Sequence, residues 1–153
     1  MAESTPVSES RVVVRPWHRR RDRAVINRWP PYTPALPAHW VATSATERHE
    51  RVSYAVELRS DRALVGRIGL QMYALTGAYL GIALHPAHLG NGLGREALHL
   101  ISQLGPRIGL SVLRLDVADE NTRAIRCYQR AGFVEVGAIW RNGYRYLDMV
   151  RAL

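Results

Sequence analysis

The chain contains no lysine, a single cysteine (Cys127) and a single phenylalanine (Phe133) among its 153 residues. A lone thiol cannot close an internal disulfide and suits a reducing cytosol, so the expected localisation is cytoplasmic. No run approaches the roughly 18 apolar residues of a membrane helix. The opening residues, MAESTPVSES, are polar and acidic rather than a secretory leader. No Cys/His cluster has zinc-like spacing, and no metal site is expected. Without lysine there is no Gly-Lys-Ser/Thr, which excludes a Walker-type nucleotide loop. Basic stretches interleaved with aromatics are also missing, which argues against nucleic acid as a partner.

What is present is a composition of 47% hydrophobic residues, that of a folded chain, and a formal net charge of +8 in which all 21 basic residues are arginine. The length suits one domain, expected over residues 11–153, with residues 1–10 read as a disordered leader. The missing lysines are read as a coding bias. The net charge is read as a modest attraction for an anionic partner.

The most informative stretch is GIALHPAHLGNGLGREAL, residues 81–98. A strand ending at Leu84 passes Pro86 and enters a loop with glycines at alternate positions, Gly90, Gly92 and Gly94, before a helix opens. Such glycines leave backbone amides uncovered, and the helix behind adds its unpaired first-turn N–H groups and about half a positive charge. A diphosphate suits that cradle. The spacing is not the Gly-x-Gly-x-x-Gly of a dinucleotide loop.

Taken in order, residues 11–16 read as a β-branched strand closed by proline, and residues 17–29 as a helix with Ala24, Val25, Ile26 and Trp29 at helical spacing. Its Arg19-Arg20-Arg21 run is read as a solvated face. A proline-rich turn (30–37) and a short helix (39–50) follow. Strands 52–59, 64–73 and 78–84 are separated by tight turns and read as an antiparallel meander. Beyond the glycine loop, Leu93, Ala97, Leu100, Ile101 and Leu104 form the apolar stripe of a third helix, with Pro106 and Gly109 closing it. Residues 110–117 read as a buried strand and 119–131 as a fourth helix. Strands 133–140 and 144–153 flank Asn142-Gly143, a strong hairpin signal. Strand–helix–strand passages imply parallel crossovers. The fold class is therefore α/β (α+β in some schemes), one mixed twisted sheet of about seven strands with helices on both faces.

The fourth helix carries NTRAIRCYQRAGF. With Asn121, Ala124, Tyr128, Gly132 and Phe133 at these spacings, and with Leu84, Pro86, Gly90, Gly92 and Gly94 before them, the chain resembles the GNAT superfamily of acyl-CoA N-acyltransferases. It looks most like the ribosomal-protein-alanine and small-amine branches. The resemblance implies acetyl-CoA as cosubstrate and a GNAT-like fold, and it is compatible with a homodimer. By position, backbone groups of Ile82, Ala83 and Leu84 would pair with pantetheine. Amides of Leu89, Gly90, Asn91, Gly92, Leu93 and Gly94 would hold pyrophosphate, and Asn121 would contact the cofactor arm. Leu89 departs from the family, which usually has Arg or Gln there. Tyr128 would protonate the departing thiolate, although taken alone it reads as a half-buried core tyrosine. Cys127, mid-helix with no local His, reads as structural. His85 and His88 read as solvated or cap-forming.

The family often places a glutamate, as base, where this chain has Tyr79. Glu57 is the candidate substitute if it faces the cleft. Lacking a strand carboxylate favours an acceptor whose amine is already free base near neutral pH, so a protein, peptide or amino-acid α-amine is placed ahead of polyamines and antibiotics. A non-catalytic acyl-CoA-binding module is the rival, and an intact Tyr128 argues against it.

Overall fold

A computed structural model of the chain describes residues 9–30 and 51–153. The expected short helix at 39–50 and most of the proline-rich turn lie outside the described residues, as do positions 1–8 of the expected leader. The leader's last two residues are tied down: Ser10 Oγ donates to Glu96 at 3.2 Å, and Arg59 Nη1 lies 3.4 Å from a Glu9 carboxylate oxygen.

The elements run β1 (Val12–Pro16), α1 (Arg19–Ile26), β2 (Arg51–Leu58), β3 (Leu64–Tyr73), β4 (Gly77–Leu84), α2 (Leu93–Leu104), β5 (Val112–Ala118), α3 (Thr122–Arg130), β6 (Val134–Arg141) and β7 (Tyr144–Ala152). One seven-stranded sheet has the order β1-β2-β3-β4-β5-β7-β6. The first four strands are antiparallel neighbours, as the tight turns imply. The β6–β7 hairpin turns on Asn142 (φ 51) and Gly143 (φ 80), the double positive φ that an Asn-Gly pair supplies. A single parallel contact joins β4 to β5. β7 then inserts itself beside β5, so β6 becomes an exposed edge strand.

Period-two alternation decides what each face of the sheet carries. Val12 and Val14 lie opposite Leu58 and Val56, Ile68 opposite Ile82, and Leu70 opposite Leu80. These side chains form one core with Leu113, Leu115, Leu147 and Met149 under Leu93, Ala97, Leu98 and Ile101 of α2. The expected stripe of α2 is met, with Leu100 and Leu104 at its half-buried margin. Pro106 lies in a 3-10 turn that extends α2, and Gly109 ends that turn with φ 87. The other face is polar: Arg15, Glu57, Arg67, Tyr79, Arg114 and Asp116 occupy the alternate register positions.

α1 lies on that second face, and the apolar contacts expected of Ala24 and Val25 do not hold it there, because both are exposed. Its inward residue is Asp22, 1% exposed. Asp22 accepts from Arg15 Nη1 (2.8 Å) and Nη2 (2.7 Å), and from the His18 amide (2.7 Å). That last bond, with His18 Nδ1 accepting from the Arg21 amide at 3.2 Å, caps the helix reciprocally. Arg15 Nε also reaches Glu57, so one guanidinium joins β1, β2 and α1. The Arg15 hydrogen bonds outweigh the burial that opposes them and hold the Asp22 carboxyl at about 2.

A carboxyl held below its ordinary value stabilises the fold above that ordinary value, and the stabilisation is lost as pH falls through the lowered one. Asp22→Asn is expected to cost about 2 kcal/mol at pH 7 and to flatten the loss of stability between about pH 4 and pH 2. Urea unfolding at pH 7 and pH 3 tests both, and an unchanged acid limb would disprove this role for Asp22.

Candidate functional site

The parallel pairing of β4 with β5 covers only Gly77–Val112, Ala78–Leu113 and Tyr79–Arg114. From Leu80 on, β4 keeps β3 as its neighbour and β5 keeps β7, so the two strands part and open the middle of the sheet. Ile82, Ala83 and Leu84 lie on the parted half of β4, at the mouth of the glycine loop.

In that loop Gly90 (φ 81) and Gly92 (φ 86) adopt the left-handed region, where a side chain is strained. Asn91 Oδ1 accepts from the Leu93 amide at 3.4 Å and so occupies one first-turn donor of α2. Leu89 precedes Gly90 in an extended conformation (φ −70, ψ 140). Gly94 has a different duty from its neighbours. It lies inside α2, and a Cβ there would stand 3.2 Å from Leu84 and 3.6 Å from the Cys127 sulfur. Its missing side chain lets α2 close on both β4 and α3.

Two guanidinium groups absent from the sequence reading stand over the loop. A Cβ on Gly90 would lie 3.3 Å from Arg123 Nη1, and one on Gly92 would lie 3.1 Å from Arg11 Nη2. Arg11 also donates to the Asn91 carbonyl (2.9 Å) and to Glu96 Oε2 from Nε (2.6 Å). Burial alone would raise the Glu96 carboxyl, but Arg11, through its side chain, amide and charge, holds it below its ordinary value. Arg11 and Arg123 bring positive charge to the loop from β1's flank and from α3. The available signal was the Arg in Asn-Thr-Arg-Ala. Only the docking of α3 beside the loop gives it meaning.

A glycine cradle beside a parted pair of strands fits a pantetheine arm ending in a diphosphate. The model for the acetyltransferase (GNAT) domain matches residues 10–134. The chain belongs to the GNAT acetyltransferases. It is thus an N-acetyltransferase of the acetyl-CoA-dependent kind. Among solved structures it is similar to a spermidine N-acetyltransferase SpeG chimera from Vibrio cholerae and hSSAT (22% identity, 94% of this chain and 96% of that one, TM-score 0.73). The Vibrio cholerae spermidine N-acetyltransferase in complex with CoA and spermine gives 22% identity, 94% and 96% coverage and a TM-score of 0.71. AAC(6')-Ib in complex with paromomycin and acetyl-CoA gives 19% identity, 94% coverage of both chains and a TM-score of 0.73. No curated protein matches the chain at the level of sequence.

On the face of this acetyltransferase that carries α2 and α3, Tyr128 is half-buried against the core, its ring edge-on to Phe133 at 6.0 Å between centroids. Burial, with Cys127 beside it, pushes its phenol well above the ordinary value. Burial also raises the Cys127 thiol, with Arg95 and Arg130 pulling it partly back. Asn121 is the N-cap of α3, its Oδ1 accepting from the Ala124 amide at 3.3 Å. His85 caps the 3-10 turn Pro86–His88, accepting from the Ala87 amide at 3.0 Å, in line with its expected cap-forming role.

On the opposite face Tyr79 stacks on Tyr73, with ring centroids 4.6 Å apart. Glu57 is not in the opening. Its carboxylate is buried between Arg15 and Arg62, the latter at 3.0 Å, two strands away from β4. The carboxylate at the opening is Asp116, two residues past the last β4–β5 pair and directly across from Asp148 on β7. Arg141 Nη2 donates to Asp116 at 2.8 Å, and Arg114 holds Asp148 through two bonds of 2.9 and 2.5 Å. Burial raises the Asp116 carboxyl above its ordinary range, and Arg141 only partly offsets it. The alternation of Arg114 and Asp116 with the apolar residues of the run 110–117 was the hint in the sequence.

Gly92→Val is expected to abolish acetyl-CoA binding in a folded protein, since its side chain would occupy the cradle, displace Arg11 and resist positive φ. Calorimetry returning wild-type affinity in a folded variant would contradict this account of the loop.

Proposed function

We propose that this acetyltransferase moves an acetyl group directly from acetyl-CoA to the amine of a small molecule, within a ternary complex. The observation that carries the proposal is the opening between β4 and β5, with Tyr128 on one side of the sheet and Asp116 on the other. Backbone groups of Ile82, Ala83 and Leu84 hold the pantetheine arm alongside β4. The loop amides from Leu89 to Gly94, with Arg11 and Arg123, hold the diphosphate, and Asn121 sits at the entrance of the arm.

The amine nitrogen attacks the thioester carbonyl carbon, the C–S bond breaks, and a proton must leave nitrogen while another reaches sulfur. Asp116 takes the first, directly or through a water. Its raised carboxyl suits a base, which works best with a pKa moved towards the operating pH. Tyr128 supplies the second: burial keeps its phenol protonated, at a cost in acid strength, and the same burial makes a developing thiolate a stronger base. A covalent route through Cys127 is disfavoured, because burial keeps the thiol protonated.

Asp116 also changes the acceptor reading. The preference for a protein or peptide α-amine rested on the lack of a strand carboxylate at Tyr79, and the neighbouring strand supplies one. Solved relatives holding spermine or paromomycin support small amines as the acceptor class. A homodimer would not alter the reading.

Tyr128→Phe is expected to lower kcat by roughly 10²–10⁴-fold with acetyl-CoA affinity little changed, and Cys127→Ala to stay near full activity. The reverse ranking would replace direct transfer by a covalent route. Asp116→Asn should lower kcat/KM by a similar factor. A base acts deprotonated, so wild-type activity should fall as pH drops through the raised carboxyl value, and this limb should be missing in the variant. A wild-type pH profile in Asp116→Asn would remove Asp116 from the mechanism.

A further inference from the structure

All 12 glycines lie in the described part of the chain, and ten of them have a local reason to be glycine. Five adopt positive φ, and at Gly66, Gly77, Gly94 and Gly105 a Cβ would stand within 3.2 Å of a neighbouring side chain. Gly137 sits at the bulge of β6. Gly69 on β3 and Gly81 on β4 have none of these reasons. Neither has a positive φ, and among the described residues a Cβ at either would meet no atom within 4 Å. The two are also cross-strand partners of each other. A glycine inside a strand weakens it, and it marks a place where something approaches the backbone closely.

The pair lies on the polar face, between Arg67 and Gln71 on β3 and between Tyr79 and Ala83 on β4. It borders the reaction site. Tyr79–Arg114 is the last β4–β5 pair, and Gly81 and Asp116 each lie two residues beyond it, so they flank the narrow end of the gap from opposite sides. A floor of bare backbone thus leads from the gap across β4 and on to β3, about 5 Å per strand. One wall of that floor is aromatic: Tyr79 is 40% exposed and is backed by the Tyr73 ring. We infer that this floor seats the body of the acceptor, and that the body is a flat ring. The amine reaches the thioester beside Asp116 while the ring lies on Gly81 and Gly69 against Tyr79. The inference rests on the acetyl-transfer reading and narrows it. A ring needs a clearing without Cβ atoms and packs on an exposed aromatic side chain, whereas a slender alkyl amine needs neither. Gly69 and Gly81 then determine specificity without touching the reacting atoms.

The test uses the full chain and three primary amines: 2-phenylethylamine, glucosamine and n-butylamine. Acetyl transfer, corrected for the free-base fraction, is read beside calorimetric binding to the CoA-loaded protein and the Tm. The better ring amine is expected to exceed n-butylamine in kcat/KM by about 10-fold or more, and the ring that leads tells an aromatic body from a sugar. Gly69 lies one strand from the gap, so Gly69→Ala and Gly69→Val should fill the floor without reaching the thioester. Tm, acetyl-CoA affinity and the use of n-butylamine should hold, while the ring amine loses about 10- to 100-fold with valine and less with alanine. Gly81→Ala should act in the same direction. Use of n-butylamine equal to or better than both rings, no binding of either ring, equal losses for all three amines in Gly69→Val, or an unchanged ring amine would overturn the inference. So would a fall in Tm, which would show that the bare floor makes room for another part of the chain. Ring-amine binding that Gly69→Val abolishes, with no acetyl transfer to any amine, would instead remove the acetyl-transfer reading and leave the platform standing.

Discussion

The structure depends on two parallel strands that pair for three residues and then separate. Each strand tolerates the separation because it has a second neighbour, β3 for β4 and β7 for β5, and so is never left without a sheet. The gap gives the sheet a passage. The helices that leave the two diverging ends, α2 after β4 and α3 after β5, lie on the same face and touch each other. The glycine loop and Tyr128 therefore come to one side of the gap. The polar side chains of β4 and β5 necessarily come to the other.

Arginine does most of the joining outside the core. A planar, permanently charged fork can serve several partners at once. Arg15 ties β1, β2 and α1 together, Arg11 ties β1's flank to α2 and the loop, and Arg114 locks Asp148 beside Asp116. An ammonium group, a point charge on a flexible stem, could not make these bidentate contacts. In Arg15 and Arg114 the geometry uses what distinguishes arginine from lysine, whatever put so many arginines in the chain. The balance of burial against arginine then separates the acids. Asp22, bonded twice by Arg15, is held low, whereas Asp116, with one exposed guanidinium and a second carboxylate across from it, is raised.

Much was legible in the chain because the signals are local. Alternating apolar residues located the seven strands, Asn142-Gly143 located the hairpin, and Gly90 and Gly92 announced positive φ. Backbone preference and period-two patterning act within a few residues, so a linear reading captures them. The two family motifs are likewise contiguous. The parting of β4 from β5 gives no such local signal, since it is a relation between strands separated by α2.

The sequence by itself determined the fold class, the glycine cradle and the identity of the signature helix, since each depends on spacing along one segment. Tertiary structure decided what each lone charge does. Asp22 turned inward instead of the apolar neighbours on α1 because Arg15 waits on β1. Glu57 joined that same cluster and left the opening to Asp116, because β2 lies two strands from β4. Gly94 is also a packing glycine, because Leu84 and Cys127 close on it. An ionic or steric partner far away in sequence settles the role of each of these residues, and only the folded sheet brings such partners within a few ångströms.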